Sequence, residues 1–264
     1  MAVKRVAFFV ASKGGVGKST TARVFIDNSR AAGRSVSAWD LDGQTGSLAL
    51  VYPVGDPTVG VAVEDVRDLK APGAWLDALH SDADDVVLDV PGGALGDLMR
   101  TFSAGAKALV AECKNSGREI VVCSVIGIKK DSVASAQQAV EVFGADVHHV
   151  VVENGLWGEK SDFVIYEGVG EGEARKYGRT ADMVRNVGGE TIFLPRLAAA
   201  ADAIADDAGL TYAEAASAIE ALGRRHAANV RYWLDEARDK FANSWLDVAG
   251  NTPVSKVRRE RVAS

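Results

Sequence analysis

The sequence predicts an α/β domain: a mostly parallel central sheet flanked by helices on both faces, with a helical C-terminal extension. Three observations carry this. Short apolar, β-rich runs alternate with helical stretches over most of the 264 residues, the order that right-handed βαβ crossovers produce. The first run, Val6 to Ala11, is almost continuously apolar, as a strand buried on both faces must be. Thr211 to about Trp245 is alanine-rich and carries no strand signal.

Taken in order, Val6–Ala11 is the first strand. A glycine-rich loop follows, then a helix from about Lys18 to Ala32 that Gly33 ends. Val36–Trp39 reads as a second strand and Asp85–Asp89, after an acidic turn, as a third. Helix is expected over roughly Leu95–Lys114, and strand over Glu119–Ile126. Asp131 is placed as the N-cap of the next helix, with Gly144 near its end. Val147–Val152 and Thr191–Leu194 supply two more strands. The whole reads as one domain over residues 1–250, helical from about 211, with a flexible basic tail at 251–264.

The bulk numbers set limits. Hydrophobic residues make up 47% and charged residues 25%, an ordinary globular balance with ample material for a core. A net charge of −6 argues against a chain coated for nucleic acid, though a local basic patch is compatible with it. Cys113 and Cys123 form no C-x-x-C pair, and Cys123 within an apolar strand reads as a buried thiol in a reducing compartment. No apolar run approaches the ~20 residues that span a bilayer, and the N-terminal apolar stretch is too short for a signal peptide. The expected location is cytoplasmic.

The loop carries the chemistry. Residues 12–19, Ser-Lys-Gly-Gly-Val-Gly-Lys-Ser, join a strand to a helix, where successive backbone N–H groups converge on an anion. Glycines at 14, 15 and 17 allow the close approach and the positive φ that such a turn needs. Lys18 reaches the β- and γ-phosphates of a nucleoside triphosphate, and the Ser19 hydroxyl ligates Mg²⁺. This is a P-loop with one departure: the general pattern asks for glycine at position 12, and Ser12 stands there.

Lys13-Gly-Gly-Val-Gly-Lys-Ser-Thr20 resembles the deviant Walker A box of the ParA/MinD family of P-loop ATPases. Asp40-Leu-Asp-Gly-Gln resembles that family's first switch, with Gly43 where proline is usual. Val86-Val-Leu-Asp89-Val-Pro-Gly-Gly resembles its Walker B strand and second switch, with Gly92 in place of a second proline. The resemblance covers the first ~200 residues in order. It implies a P-loop NTPase fold that binds ATP and Mg²⁺, with Gly14, Gly15, Val16, Gly17, Lys18, Ser19 and Thr20 around the phosphates. It also implies that Lys13 crosses a homodimer interface to the partner's phosphates, where a cation in trans makes hydrolysis depend on dimerisation. Asp42 would act on the attacking water, and Asp40 and Asp89 would serve the metal beside Ser19.

Other places allow more than one reading. Asn154 and Pro195 fall where the family contacts the adenine, and both also read as turn residues. The Asn154–Phe163 segment is rich in aromatics, so Trp157 and Phe163 form a partner site, cover the base or pack on the core. Arg224, Arg225, Arg231, Arg238 and Lys240 are DNA-contact candidates, but the interleaved Asp235, Glu236 and Asp239 equally suit a solvated helix face. Lys256, Arg258, Arg259 and Arg261 make a better electrostatic anchor. Val254, Val257 and Val262 are too small and few for a membrane-inserting helix. The resulting expectation is an ATP-dependent, dimerising, weakly active ATPase that switches association with DNA or an adaptor in partition or cargo positioning. The rival is a nucleotide-switched binding module with little hydrolysis of its own.

Overall fold

The computed structural model describes residues 3–43, 46–68, 70 and 73–248. In chain order, β1 (Arg5–Val10) leads through the loop into α1 (Lys18–Ala31) and β2 (Val36–Asp40). A long connection carries the two-residue β3 (Ala62–Val63) and the single turn α2 (Ala74–Asp77) before β4 (Asp85–Asp89). Then come α3 (Leu95–Arg100), α4 (Ala106–Asn115), β5 (Glu119–Ile126), α5 (Lys130–Phe143) and β6 (His148–Asn154). The short α6 (Val164–Glu167) and α7 (Arg179–Asn186) precede β7 (Glu190–Leu194), and α8 (Ala199–Asp207), α9 (Tyr212–Ala215) and α10 (Ile219–Phe241) complete the described chain.

The seven strands form one sheet in the order β3-β2-β4-β1-β5-β6-β7. Every strand pair in it is parallel, so the expected mostly parallel sheet is wholly parallel over these strands. Central β1 is buried at all six positions, and its side chains alternate between two cores. Ala7 and Phe9 face a layer made by α1 and α8–α10, whereas Val6, Phe8 and Val10 face one containing Trp75, Leu98, Leu109 and Phe143. A third cluster lies under α5–α7 around Ile126, Phe163 and Tyr166. Period-two alternation at a strand buried on both sides is thus what orders the layers.

The C-terminal helices are one of those layers. Trp233, Leu234, Ala237 and Phe241 of α10 share their core with Val24 and Phe25 of α1 and Val150 and Val152 of β6. Arg5, 1% exposed, pairs with Asp85 at 2.7 Å and donates to the carbonyls of Trp245 and Asp247, which ties the chain beyond α10 to the start of β1. A charge this deeply buried is tolerated because its donors are met.

Three expectations need correction. The helix expected over Leu95–Lys114 is two helices: the first ends at Arg100, and the second starts only after Gly105, which takes φ 58° and ψ −139°. The helical stretch from Thr211 to Trp245 divides as well. Thr211 caps α9 in a capping box with Glu214, and Gly223 at φ 74° and ψ 154° kinks α10. Asp131 is not an N-cap: Lys129 occupies that place in extended geometry and Asp131 lies in the first turn. Both cysteines are free and fully buried thiols, and burial pushes Cys113 up to about 12. No helix among the described residues is long and apolar enough to cross a membrane. The basic tail at 251–264 lies outside the described residues, as does Gln44 in the first switch.

Candidate nucleotide-binding site

The loop between β1 and α1 leaves the sheet at its centre, at the C-terminal edge where parallel strands present their open ends. Gly15 and Gly17 take φ of 77° and 92°, so the chain turns back sharply and α1 starts with its N-terminal amides at the loop. Gly17 is doubly constrained. A Cβ there would lie 1.8 Å from the Asn154 side-chain nitrogen, so no other residue fits. Val16 points the other way, 1% exposed, and anchors the loop in the core.

Lys18 sends its ammonium to the carboxylate of Asp89 at the end of β4, and the same nitrogen lies 3.2 Å from the Ser19 hydroxyl. Ser19 and Asp89 therefore already face one common cation. Parallel pairing of β1 with β4 brings this about: Phe9 is opposite Asp89, so the loop that follows β1 starts beside the end of β4. The following Gly92 packs on the loop itself. A Cβ at 92 would sit 2.7 Å from the Lys13 carbonyl carbon and 2.8 Å from the Gly14 nitrogen. The departure from proline at this position thus has a steric cause. Close packing on the loop is the evident role of Gly92.

Asp40, at the end of β2, is fully buried. It accepts from the backbone N–H of Asp42 at 3.1 Å, Leu48 at 2.9 Å and Ala49 at 3.3 Å, so it folds the segment after β2 around itself. Burial first, then the nearby charge of Asp89, pushes its carboxyl up to about 6. With both oxygens committed to amides, Asp40 supports this loop and stands behind Asp89. Asp42 lies further out, with Arg67 at 3.4 Å. Lys13 is 2.6 Å from Asp131 of α5, and the Ser12 hydroxyl donates to the Asp131 carbonyl. Its lysine partner holds the Asp131 carboxyl below the usual carboxylate range. The non-glycine at position 12 and the extra lysine are therefore joined in cis to one residue of α5.

A cavity of about 400 Å³ lies over the loop, lined by Lys13, Gly14, Gly15, Gly17, Lys18, Ser19, Thr20, Asp42 and Asp89 and, beyond them, by Arg23, Leu50, Leu156 and Asp206. Asn154 and Pro195 are not among its walls. The Asn154 amide donates to the Val16 carbonyl at 2.8 Å and accepts from the Leu156 N–H at 3.0 Å, so it braces the loop from below. The Pro195 carbonyl accepts from the Trp233 indole at 2.7 Å. Trp157 also reaches the Val16 carbonyl, at 3.4 Å, and stays 39% exposed. Phe163 is 1% exposed and meets Phe193 edge-on, so it belongs to the core and to no partner surface. A larger open groove of about 870 Å³ lies at the other end of β2 and β4, near Arg34, Trp39 and Asp82, and contains none of the motif residues.

Arg23 and Asp206 were not found by motif reading, since a lone arginine in a helix and a lone aspartate in an alanine-rich run carry no signal. Their partnership is tertiary.

Compared with known proteins, the chain matches no family model. It is 24% identical over 239 residues to protein MobD of Acidithiobacillus ferrooxidans, which covers 89% of this chain and 95% of that protein. Among solved structures it resembles the septum site-determining protein MinD of Pyrococcus horikoshii, complexed with Mg-ADP, at 16% identity and a TM-score of 0.49 over 91% of this chain and 98% of that one. It also resembles a plasmid partition protein of Borrelia burgdorferi bound to AMPPNP, at 12% identity and a TM-score of 0.42, over 70% and 98% of the respective chains.

Proposed function

We propose that the protein is an ATP-dependent molecular switch of the ParA type, which binds ATP with Mg²⁺, pairs with a second copy and hydrolyses the nucleotide in that paired state. The observation that carries it is the Lys18 ammonium seated between Ser19 and Asp89 beneath a loop in which Gly15 and Gly17 take positive φ. Two oxygens arranged about one cation at a phosphate cradle suit a divalent ion and a triphosphate.

In this reading Ser19 and Asp89 hold Mg²⁺, which when bound neutralises charge on the phosphates. Lys18 leaves Asp89 for the β- and γ-phosphates, and the backbone N–H groups of Gly14–Thr20 donate to the phosphate oxygens. Asp42 positions the attacking water, and Asp40 keeps the segment carrying Asp42 folded. Lys13 leaves Asp131 and reaches the phosphates of the second copy, so hydrolysis waits on pairing. The ATP-bound pair engages nonspecific DNA through basic residues of α10 and the tail, and an adaptor or cargo protein reads the nucleotide state.

The rival switch module with little turnover also has an observation on its side: Lys13 and Asp42 both have ion-pair partners within the chain. ATP turnover of the wild type, Lys13→Ala and Asp42→Ala decides. Loss of turnover with retained ATP binding in both variants supports hydrolysis as proposed; turnover unchanged in either variant removes that residue's role. A wild type that binds ATP without turnover, with DNA present, favours the switch module. DNA engagement predicts retardation of a nonspecific duplex at ~50 mM salt that is lost as salt rises. No retardation there points to a protein partner instead.

A further inference from the structure

The nucleoside end of the cavity has its own recognition device. A triphosphate seated on Gly14–Ser19 fills the phosphate cradle, and the rest of the cavity wall includes Thr20, Arg23, Leu50, Val51, Leu156 and Asp206. Arg23 lies one helical turn beyond Thr20 on α1, on the same face of the helix. It is 5% exposed, with its guanidinium 3.9 Å from the centre of the Tyr212 ring. One terminal nitrogen is 2.7 Å from Asp206 and the other donates to the Leu210 carbonyl at 3.2 Å, while its Nε has no hydrogen-bond partner.

Asp206 is half-exposed, and Arg23 takes one of its oxygens. No hydrogen bond among the described residues engages the other oxygen. A carboxylate fixed by a buried arginine, with an oxygen to spare beside two leucines, is a hydroxyl acceptor set in an apolar wall. That is the chemistry of a ribose site. The two residues that motif reading placed at the base, Asn154 and Pro195, are committed to the Val16 carbonyl and to Trp233.

We infer that Asp206, positioned by Arg23 and Tyr212, accepts the ribose hydroxyls of the bound nucleotide and so selects ribonucleoside over deoxyribonucleoside triphosphates. This rests on the P-loop binding a triphosphate as proposed above. Asp206 is a binding residue, and Arg23 acts through it as a positioning residue. A site with a dedicated acceptor for a hydroxyl discriminates against the analogue lacking it, because the acceptor is then left desolvated and unpaired.

The test is calorimetric binding of ATP, 2′-deoxyATP, 3′-deoxyATP and inorganic tripolyphosphate, each with Mg²⁺, to the full chain and to Asp206→Asn. The wild type should bind ATP at least about 10-fold more tightly than one of the deoxy analogues. Asp206→Asn should bring ATP and that analogue within about 2-fold of each other and leave tripolyphosphate affinity unchanged. Arg23→Lys, which keeps the charge but not the fork, should reduce the same discrimination. A wild type indifferent to both hydroxyls overturns the inference. So does a variant that keeps the discrimination, or one that loses tripolyphosphate and ATP affinity together. A wild type that fails to bind even tripolyphosphate removes the P-loop reading itself, a distinct result.

Discussion

Glu153 is the residue just before the loop-bracing Asn154, and it is fully buried with neither carboxylate oxygen hydrogen-bonded. Burial, then the neighbouring Glu167 charge, pushes its carboxyl up to about 8. At neutral pH the folded protein therefore holds a proton here that the unfolded chain, at the ordinary value near 4.5, has released. Between those two values the native state binds more protons than the unfolded state, so stability falls as pH rises. At 1.36 kcal/mol per unit, the interval from 4.5 to about 8 sets a ceiling of about 5 kcal/mol. Relaxation around a charge shared with Glu167 reduces this, and we expect roughly 2–5 kcal/mol. Glu153→Gln keeps the shape and removes the titration. Urea unfolding at pH 5, 7 and 8.5 should show the variant gaining on the wild type with pH, with near-equal stability at pH 5. Parallel pH profiles, or a variant that loses ground at pH 8.5, would refute the account of Glu153 as a buried neutral acid. ATP affinity should be unchanged, since Asn154 keeps its bonds.

Two further predictions concern the loop. Gly92→Ala drives a methyl into the backbone of Lys13 and Gly14 and should cost about 1–3 kcal/mol along with ATP affinity. Gly96→Ala, four residues later in α3 and with open space at its Cβ, should be neutral or slightly stabilising; thermal melts and ATP titration of both variants check the contrast. Asp131→Ala removes the partner of Lys13 in cis. Its melting temperature should stay near that of the wild type, because both side chains are exposed. Its ATP-dependent self-association should strengthen, as measured by light scattering across an ATP titration. Unchanged or weaker association would mean that the Lys13–Asp131 pair does not compete with pairing of two copies.

The layered α/β fold was legible in the chain because its signals are local. Arg5–Val10 and Asp85–Asp89 are apolar strands buried on both faces, and helix termini are marked by residues such as Gly33. The errors fell where local signals compete. Residues 95–114 have helix-forming composition on both sides of the turn at 101–105, and only the backbone there, ending at Gly105 with positive φ, shows the break. The two-residue β3 and the single turns α2 and α6 are too short for any period to register. Within the site, Lys13, Lys18, Ser19, Asp42 and Asp89 are legible because each lies in one of three short motifs, and the parallel strands that end in those motifs bring them to one cavity.

By itself, then, the sequence determined the phosphate cradle and the strands that present it, since both depend on residues adjacent in the chain. Tertiary structure alone decided what surrounds that cradle. It turned Asn154 toward the Val16 carbonyl, set Gly92 against the loop backbone, joined Lys13 to Asp131 and brought Asp206 across 183 positions to Arg23. Each of these is a contact between distant segments, fixed by how strands, loops and helices far apart in the chain pack about one sheet. No periodicity or spacing encodes such contacts.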